Sequence, residues 1–531
     1  VAKTSLKMNR IVSLSIAAVC LLAAQDPPTH GEWGDLGHTY ANPILPADFS
    51  DLDAIRVGKE YYAISSTLQY SPGVAVLHSK DLVNWQIAGH VVPDLRQIGP
   101  DLNWDRMNRA GRGIWAGAIR FHNGKYWVYF TTPDEGLFMS TAINPAGPWE
   151  PLKAVWRVSG WDDPCPFWDD DGQAYLVITN FARSYKIHLF KLDATGERLL
   201  PGSDRIIHQS RGSEANKLYK FNGLYYHYYS EVRPEGRVSM MERAHNLNGP
   251  WEFRQLIHVN PALDKEPNQG GLVQIPSGDW YFVTHQGTGD WEGRAAVLLP
   301  VSWTNGWPIL GVAGKDGIGN MVWRGVKPVT GFPELSPWAS DDFSQKALRP
   351  EWEWNYQPLA EKWSLSERPG YLRLHAFRPL RAGDFRTVGN ILSQRVSRTT
   401  RNQVTAVFDT EAMADGQFAG LAHYARTYCA IGVACKKSVR AIILDDEGKK
   451  LAGPDIHQSR VWLRSTWDFN GESRFSYSLN GHDFHDFGPP YQLTWGAYRG
   501  DRIGLFTLNE SSDKGYIDVG DFSYTISRKL P

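Results

Sequence analysis

Cysteine is scarce in this chain, with four in 531 residues, at positions 20, 165, 429 and 435. No pair has the spacing of a zinc or redox motif, and so few cannot staple a chain this long, so its stability must come from apolar cores. Cys429 and Cys435 stand six apart in a strand-like run, which separates them by about 20 Å along a strand, so a disulfide between them would need a turn. Charge of one sign is also missing: Lys plus Arg number 56 against 57 Asp plus Glu, for a net charge of −1. That balance removes the electrostatic basis for binding nucleic acid or an anionic membrane. Beyond residue 24 no apolar run approaches the length of a membrane span. Strong helical periodicity is rare throughout, which argues against a helical or α/β architecture.

The opening segment differs from the rest. Lys3, Lys7 and Arg10 precede an apolar run over residues 11–24 that ends in small residues before Asp26-Pro27-Pro28. Basic, then apolar, then small is the order of a secretory leader, so residues 1–24 are expected to be one and the chain to be secreted or periplasmic.

Aromatics are plentiful, at 13% with 22 Trp. Short runs alternate aromatic and β-branched residues between Gly, Pro and Asn-Gly breaks, the pattern of an all-β protein. One motif recurs, a glycine followed by one or two aromatics: Gly58-Lys59-Glu60-Tyr61-Tyr62, Gly124-Lys125-Tyr126-Trp127, Gly172-Gln173-Ala174-Tyr175, Gly223-Leu224-Tyr225-Tyr226 and Gly278-Asp279-Trp280-Tyr281. Each reads as a hairpin turn entering a strand. Asp81-Leu82-Val83-Asn84-Trp85, Gly147-Pro148-Trp149 and Gly249-Pro250-Trp251 read as turns into outer strands. Five units of about 50 residues, each a small antiparallel sheet, predict a five-bladed β-propeller over residues 32–325. A β-sandwich with chance hairpins is the weaker alternative.

In a propeller the first strand of each blade lines the axis, so residues upstream of each glycine converge there. Counting back nine from the glycine reaches Trp115, Asp163, Glu214 and Gln269 in blades two to five; in blade one Asp51 lies seven back, with Asp53 beside it. Three carboxylates facing one another suit glycoside cleavage. Inversion needs one protonated carboxyl for the leaving oxygen and one carboxylate to activate water. A third carboxylate nearby keeps the acid protonated, because like charges disfavour ionisation. Most aspartates before turns are merely turn formers, and it is the repetition across blades that favours function.

These motifs resemble glycoside hydrolase family 43, from about residue 42 to the C-terminus. The first is Asn42-Pro43-Ile44-Leu45-Pro46 with Phe49-Ser50-Asp51-Leu52-Asp53, where Leu52 replaces the family's usual Pro. The resemblance makes Asp51 the general base and leaves Asp53 as the other choice. The second is Trp161-Asp162-Asp163-Pro164, which implies that Asp163 modulates the acid's pKa and orients substrate. The third is Gly212-Ser213-Glu214-Ala215, with Ala215 for the family's Gly, and it implies Glu214 as general acid. Trp115-Ala116-Gly117-Ala118 resembles the family's Trp-Ala-Pro segment and implies a sugar-lining role for Trp115. His285-Gln286-Gly287 and Gly293-Arg294 resemble its late-blade segment, where the His implies a calcium or water site at the axis and the Arg a substrate contact. Trp291 and Gln269 complete the expected substrate contacts. A core role for His285 and a surface role for Arg294 stay open, since calcium prefers oxygen ligands.

Residues 326–340, with Pro328, Pro333 and Pro337, read as a linker. Strand patterns return over residues 341–531 without the repeat, which predicts a β-sandwich of jelly-roll type. Asp341-Asp342-Phe343 and Gly520-Asp521-Phe522 resemble the concanavalin-like module of some family members, in which Asp342 and Asp521 could share a structural calcium; ordinary turn aspartates are the other reading. The expectation is an exo-acting, inverting glycosidase that needs no cofactor for its chemistry. It would release terminal xylosyl or arabinofuranosyl units from plant cell-wall oligosaccharides or polysaccharides. A catalytically inactive carbohydrate-binding protein is the main alternative, and an acid–base trio argues against it. A protein-interaction propeller lacks its Trp-Asp signature here. Nucleic acid and membrane are not expected partners, and oligomeric state is open.

Overall fold

The computed structural model describes residues 32–259, 267–286, 289–496 and 498–527. The expected leader, residues 1–24, and Gly287 lie outside the described residues. Among the described residues the chain is strand and loop, with five one-turn 3-10 segments and no α-helix.

Five four-stranded antiparallel sheets form the first half. Their inner strands are Asp53–Val57, Gly117–His122, Trp161–Trp168, Glu214–Phe221 and Pro267–Gln274. Each inner strand contacts the next, and the fifth contacts the first, which closes a ring. The recurring glycines lie in the hairpin loops that follow these strands: Val57 pairs with Glu60, His122 with Lys125, Trp168 with Ala174, Phe221 with Leu224 and Gln274 with Trp280. Blades one and five approach so closely that a Cβ on Gly271 would lie 2.4 Å from the Ala54 carbonyl oxygen. Apolar faces of neighbouring blades pack together; Ile64, Val76 and Ile119, for example, share one cluster. Each such side chain stabilises the fold by about 1.5–3 kcal/mol on burial.

The ring is latched where its two ends meet. Strands Gly34–Asp35, Thr39–Ala41 and Arg324–Val326 form one sheet. The buried Asn42 side chain donates to the Leu298 and Val322 carbonyls and accepts from Leu298 N–H. An amide that satisfies three buried backbone groups holds the N-terminal segment against blade five.

The second half is a sandwich of two antiparallel sheets. Its strands include Leu372–His375, Asn402–Asp409, Arg460–Trp467 and Arg502–Asn509. Cys429 and Cys435 lie on one uninterrupted strand, Tyr428–Lys436, and both are free thiols, so no turn brings them together.

The two halves share one core. Phe49, Leu52, Trp85 and Trp291 from the propeller cluster with Trp338, Trp352, Leu421 and Leu505. Strand Tyr70–Ser71, from a blade-one loop, extends a sandwich sheet by pairing with Glu353–Asn355. Beside it the fully buried Glu353 pairs with Arg502 at 2.5 Å, Arg395 at 2.9 Å and His90 at 3.1 Å. Burial alone would raise this carboxyl, but the two guanidiniums hold it well below the usual carboxylate range. Arg395 Nε also donates to the Asp48 carbonyl at 2.7 Å, and Arg398 N–H to the Pro46 carbonyl at 2.7 Å. The sandwich therefore grips the segment that leads to Asp51.

Candidate active site

At one mouth of the ring lies a cavity of about 290 Å³ lined by Asp51, Trp115, Asp162, Asp163, Glu214, Gln269 and Arg294, among others. Blades three, four and five aim residues into it through one local device. Pairing along the inner strand breaks between Asp162 and Cys165, between Glu214 and Lys217, and between Asn268 and Gly271. These are β-bulges, which re-aim side chains and are frequent beside active sites. Within them Asp163, Ala215 and Gln269 take left-handed φ of 53°, 71° and 61°. Asp51 has φ 57° and stands two residues before Asp53, where pairing starts in blade one. Such backbone costs about 1–3 kcal/mol for a non-glycine residue and persists only when its surroundings hold it.

The phase inferred from the glycines is thus corrected by one residue. Asp51, Trp115, Asp163, Ala215 and Gln269 are the equivalents, each two positions before a paired residue, respectively Asp53, Gly117, Cys165, Lys217 and Gly271. Asp51 is therefore regular and Glu214 is the residue set one position early. The cause is that the paired length of the inner strand and the glycine's place in the hairpin loop both differ between blades, so the glycine is not a fixed origin.

The three carboxyls sit in different electrostatic settings. Burial would raise Asp51. The Arg294 guanidinium at 2.6 Å and the Ser66 hydroxyl at 2.6 Å hold it below the ordinary aspartate value, aided by Lys217. Glu214 is pushed up to about 7, mainly by burial, with Asp163 and Asp51 adding repulsion and Arg237 and Arg294 opposing. Asp163 is raised by burial, against the pull of Lys217, the Ala215 N–H at 2.7 Å and the Gln269 amide. One carboxylate kept ionised and another kept protonated in one cavity is the division an acid–base pair requires.

Asp53, the other choice for the base, does not line the cavity. It is fully buried, accepts from Ile119 N–H at 2.9 Å and pairs with Arg120 at 2.6 Å, which ties blade one to blade two. Gln269 reaches the cavity, yet its amide spans Asp163 and Lys217 Nζ, so it holds the carboxylate as well as facing the opening. Trp115 lines the wall beside Phe181, ring centroids 5.7 Å apart. Trp291 is a correction. It is 3% exposed, its backbone oxygen accepts from Asp501 N–H at 2.7 Å, and its indole packs at Gly471 and Arg398 in the joint between the halves, away from the cavity. Its neighbour Arg294 turns to the cavity while Trp291 turns to the sandwich.

His285 is buried, and among the described residues neither ring nitrogen has a hydrogen-bond partner. Burial, with Arg294 and Lys217 nearby, pushes it down to about 3, against the pull of Asp51. Its surroundings do not suit calcium, which wants six to eight oxygens. Two cations already hold this region, and the adjacent carboxylate is ion-paired to Arg294. Asp342 and Asp521 line a second cavity, on the sandwich face, together with Ser340, Ser344, Thr405 and Ser523. Asp342 Oδ1 there accepts from Ser344 N–H and Oγ–H, an ordinary turn arrangement, and Arg349 shares the lining. Among the described residues, no three or more His, Cys, Asp or Glu side chains are grouped to hold a metal.

Several cavity residues escaped the sequence reading. Asp162, readable only as a doubled aspartate, accepts from Thr131 Oγ and Asp163 N–H; burial and Asp163 raise it well above its ordinary value. Tyr185 and Arg237 carry no local signal. Tyr498 comes from the sandwich, with the Arg294 guanidinium 5.1 Å from its ring centroid.

A profile described as glycosyl hydrolases family 43 matches residues 40–308, and one described as a beta xylosidase C-terminal concanavalin A-like domain matches residues 340–525. A beta-xylosidase of Formosa agariphila is 33% identical, over 93% of this chain and 92% of that protein. A non-reducing end alpha-L-arabinofuranosidase of Bacteroides ovatus is 31% identical, over 63% of this chain and 65% of that one. A family 43 protein from Bacillus licheniformis has a solved structure that superposes with a TM-score of 0.80 at 25% identity, covering 92% of this chain and all of that chain.

Proposed function

The chain belongs to glycosyl hydrolases family 43 and is a glycosidase, and from that premise we propose that it removes terminal β-xylosyl or α-L-arabinofuranosyl units from hemicellulose oligosaccharides with inversion. The observation that carries the reading is the opposed tuning of Asp51 and Glu214 in one cavity. About 290 Å³ is at the small end of ligand pockets, which suits a single terminal sugar better than a polymer threaded through. The names of the relatives support both pentoses. The basic-then-apolar segment over residues 1–24 supports a secreted or periplasmic location.

In this reading protonated Glu214 gives its proton to the glycosidic oxygen as the C1–O bond breaks. Asp51 takes a proton from water, whose oxygen bonds to C1 from the opposite face. One water is consumed, one sugar hemiacetal and one alcohol are formed, and the proton on Asp51 returns to Glu214 through solvent. Asp163 stays close enough to resist ionisation of Glu214, while Arg294 holds Asp51 ionised and offers donors to sugar hydroxyls.

The test is hydrolysis of nitrophenyl β-xyloside and nitrophenyl α-L-arabinofuranoside by wild type and Glu214→Ala, with proton NMR of the first anomer released. Hydrolysis of neither compound nor of hemicellulose oligosaccharides by wild type refutes the reading. A retained anomer refutes inversion, and full activity in Glu214→Ala refutes the acid.

A further inference from the structure

A general acid is an odd place for a cation. Arg237, near the start of strand Gly236–Ala244 in blade four, puts Nη1 3.1 Å from Glu214 Oε1. The same nitrogen donates to the Gly212 carbonyl at 2.8 Å and to Ser230 Oγ at 3.0 Å. The guanidinium is thus anchored to the backbone two residues before Glu214 and to the strand that pairs with it, whatever the charge on Glu214. Among the described residues Arg237 is the only side chain ion-paired with Glu214, and both line the cavity. The facing ionisable groups are Asp51, Asp162, Asp163, Tyr185, Arg294 and Tyr498.

Keeping the acid protonated is not what Arg237 does, since its charge opposes that state. Burial and the neighbouring aspartates already supply it. What a guanidinium supplies is direction. Both hydrogens of Nη1 are engaged by Gly212 and Ser230, so what Glu214 Oε1 meets is the guanidinium's positive charge, which disfavours a proton on that oxygen. The transferable proton then belongs on Oε2. As that proton leaves, negative charge develops on the carboxylate, and a charge-assisted contact already in place stabilises it without reorganisation.

We propose that Arg237 is a positioning residue for proton donation: it assigns the acidic proton to Oε2 of Glu214 and stabilises the carboxylate left when the glycosidic oxygen takes it. The step keeps the balance given above, with one proton moving from Oε2 to the leaving oxygen as C1–O breaks. The proposal rests on Glu214 being the acid. It implies that Arg237 matters most when the leaving group is a poor one and needs full protonation.

The experiment compares Arg237→Met and Arg237→Lys with wild type on a pentosyl disaccharide, whose leaving group is a sugar alcohol, and on the matching nitrophenyl glycoside, whose leaving group departs with little help. For Arg237→Met the disaccharide kcat is expected to fall by about 10²-fold, within the usual range of acid assistance, and the nitrophenyl kcat by less than about threefold. The basic limb of kcat/KM should move up by about one pH unit as the opposing charge is lost. Arg237→Lys, which keeps the charge without the fork, should recover part of both. Equal losses on the two substrates, an unmoved basic limb, or a change in KM alone would each overturn the proposal in favour of a structural or substrate-binding role. If Arg237→Met does not fold, Arg237→Gln, which keeps a donor without the charge, takes its place, and wild-type leaving-group dependence and pH profile in that variant overturn the proposal equally. Glu214→Gln is the control: wild-type disaccharide turnover in that variant defeats the acid assignment itself, a different failure.

Discussion

Arg294 Nη1 lies 2.6 Å from Asp51 Oδ1, in a cavity where the carboxylate is otherwise buried. Burial alone would drive Asp51 toward its neutral form, which cannot activate water. Replacing Arg294 by Met should therefore raise the Asp51 pKa by at least about one unit. The acidic limb of kcat/KM should shift upward accordingly, and KM should rise as donors to the sugar are lost. A pH–rate profile on a nitrophenyl glycoside measures both; an unmoved acidic limb would detach Arg294 from the base.

Glu214 carries the opposite cost. Its folded value is about 7 against 4.5 for the free side chain. Between those values the unfolded chain releases a proton that the folded chain keeps, so stability is full below about pH 4.5 and is lost as pH rises through the folded value. Glu214→Gln cannot ionise and escapes that loss. About a quarter of the side chain is open to water, so the gain is discounted to about 1–2 kcal/mol. The variant should unfold at higher temperature than wild type at pH 8 and at the same temperature at pH 4, while losing disaccharide hydrolysis. Equal melting at pH 8 would mean that the carboxyl is not strained there.

Much of this site was legible because repetition is visible in a linear chain. The five hairpin glycines located the blades, and residues counted back from them included Asp163 and Glu214. The fine phase was not legible. Inner-strand length and the glycine's place in its loop vary without a composition signal: Gly172 lies seven positions after Cys165 but Gly223 six after Lys217, so equal counting returned Asp163 and Glu214 where the backbone equivalents are Asp163 and Ala215. Asp51 looked irregular for the same reason, with Gly58 five positions after Asp53. Contacts between the halves left no trace either: Trp291 has the composition of a sugar platform, and only the packing of the sandwich against it makes it core. Tyr498, far along the chain in a module of different architecture, had no motif to tie it to the cavity.

The buried cluster around Glu353 predicts a coupling of stability and activity. Glu353→Ala would leave Arg395 and Arg502 without their shared carboxylate, both almost wholly buried. Removing one partner of a buried ion pair costs about 3–5 kcal/mol. Thermal unfolding should move down sharply, and residual activity should follow the folded fraction with KM nearly unchanged. Replacing Glu353 by Gln keeps hydrogen-bonding capacity and should cost less. A large rise in KM at full folding would instead place this cluster in the catalytic geometry.

Tyr498 gives the sharpest test of whether the sandwich takes part in the reaction. Its ring packs on the Arg294 guanidinium at 5.1 Å, its backbone oxygen accepts from Ser50 Oγ at 3.3 Å, and about half of the side chain is exposed. An exposed ring contributes little to folding, so Tyr498→Ala should leave the melting temperature within a degree or two of wild type, a change of less than about 0.5 kcal/mol. The cation–π contact that helps fix Arg294 is worth about 0.5–2 kcal/mol, so kcat/KM should fall by roughly 3- to 30-fold. Tyr498→Phe retains the ring and should stay within about twofold of wild type, since the ring face and not the hydroxyl meets Arg294. If Tyr498→Ala instead matches wild type in kcat/KM, the sandwich contributes support to the propeller and nothing to the substrate.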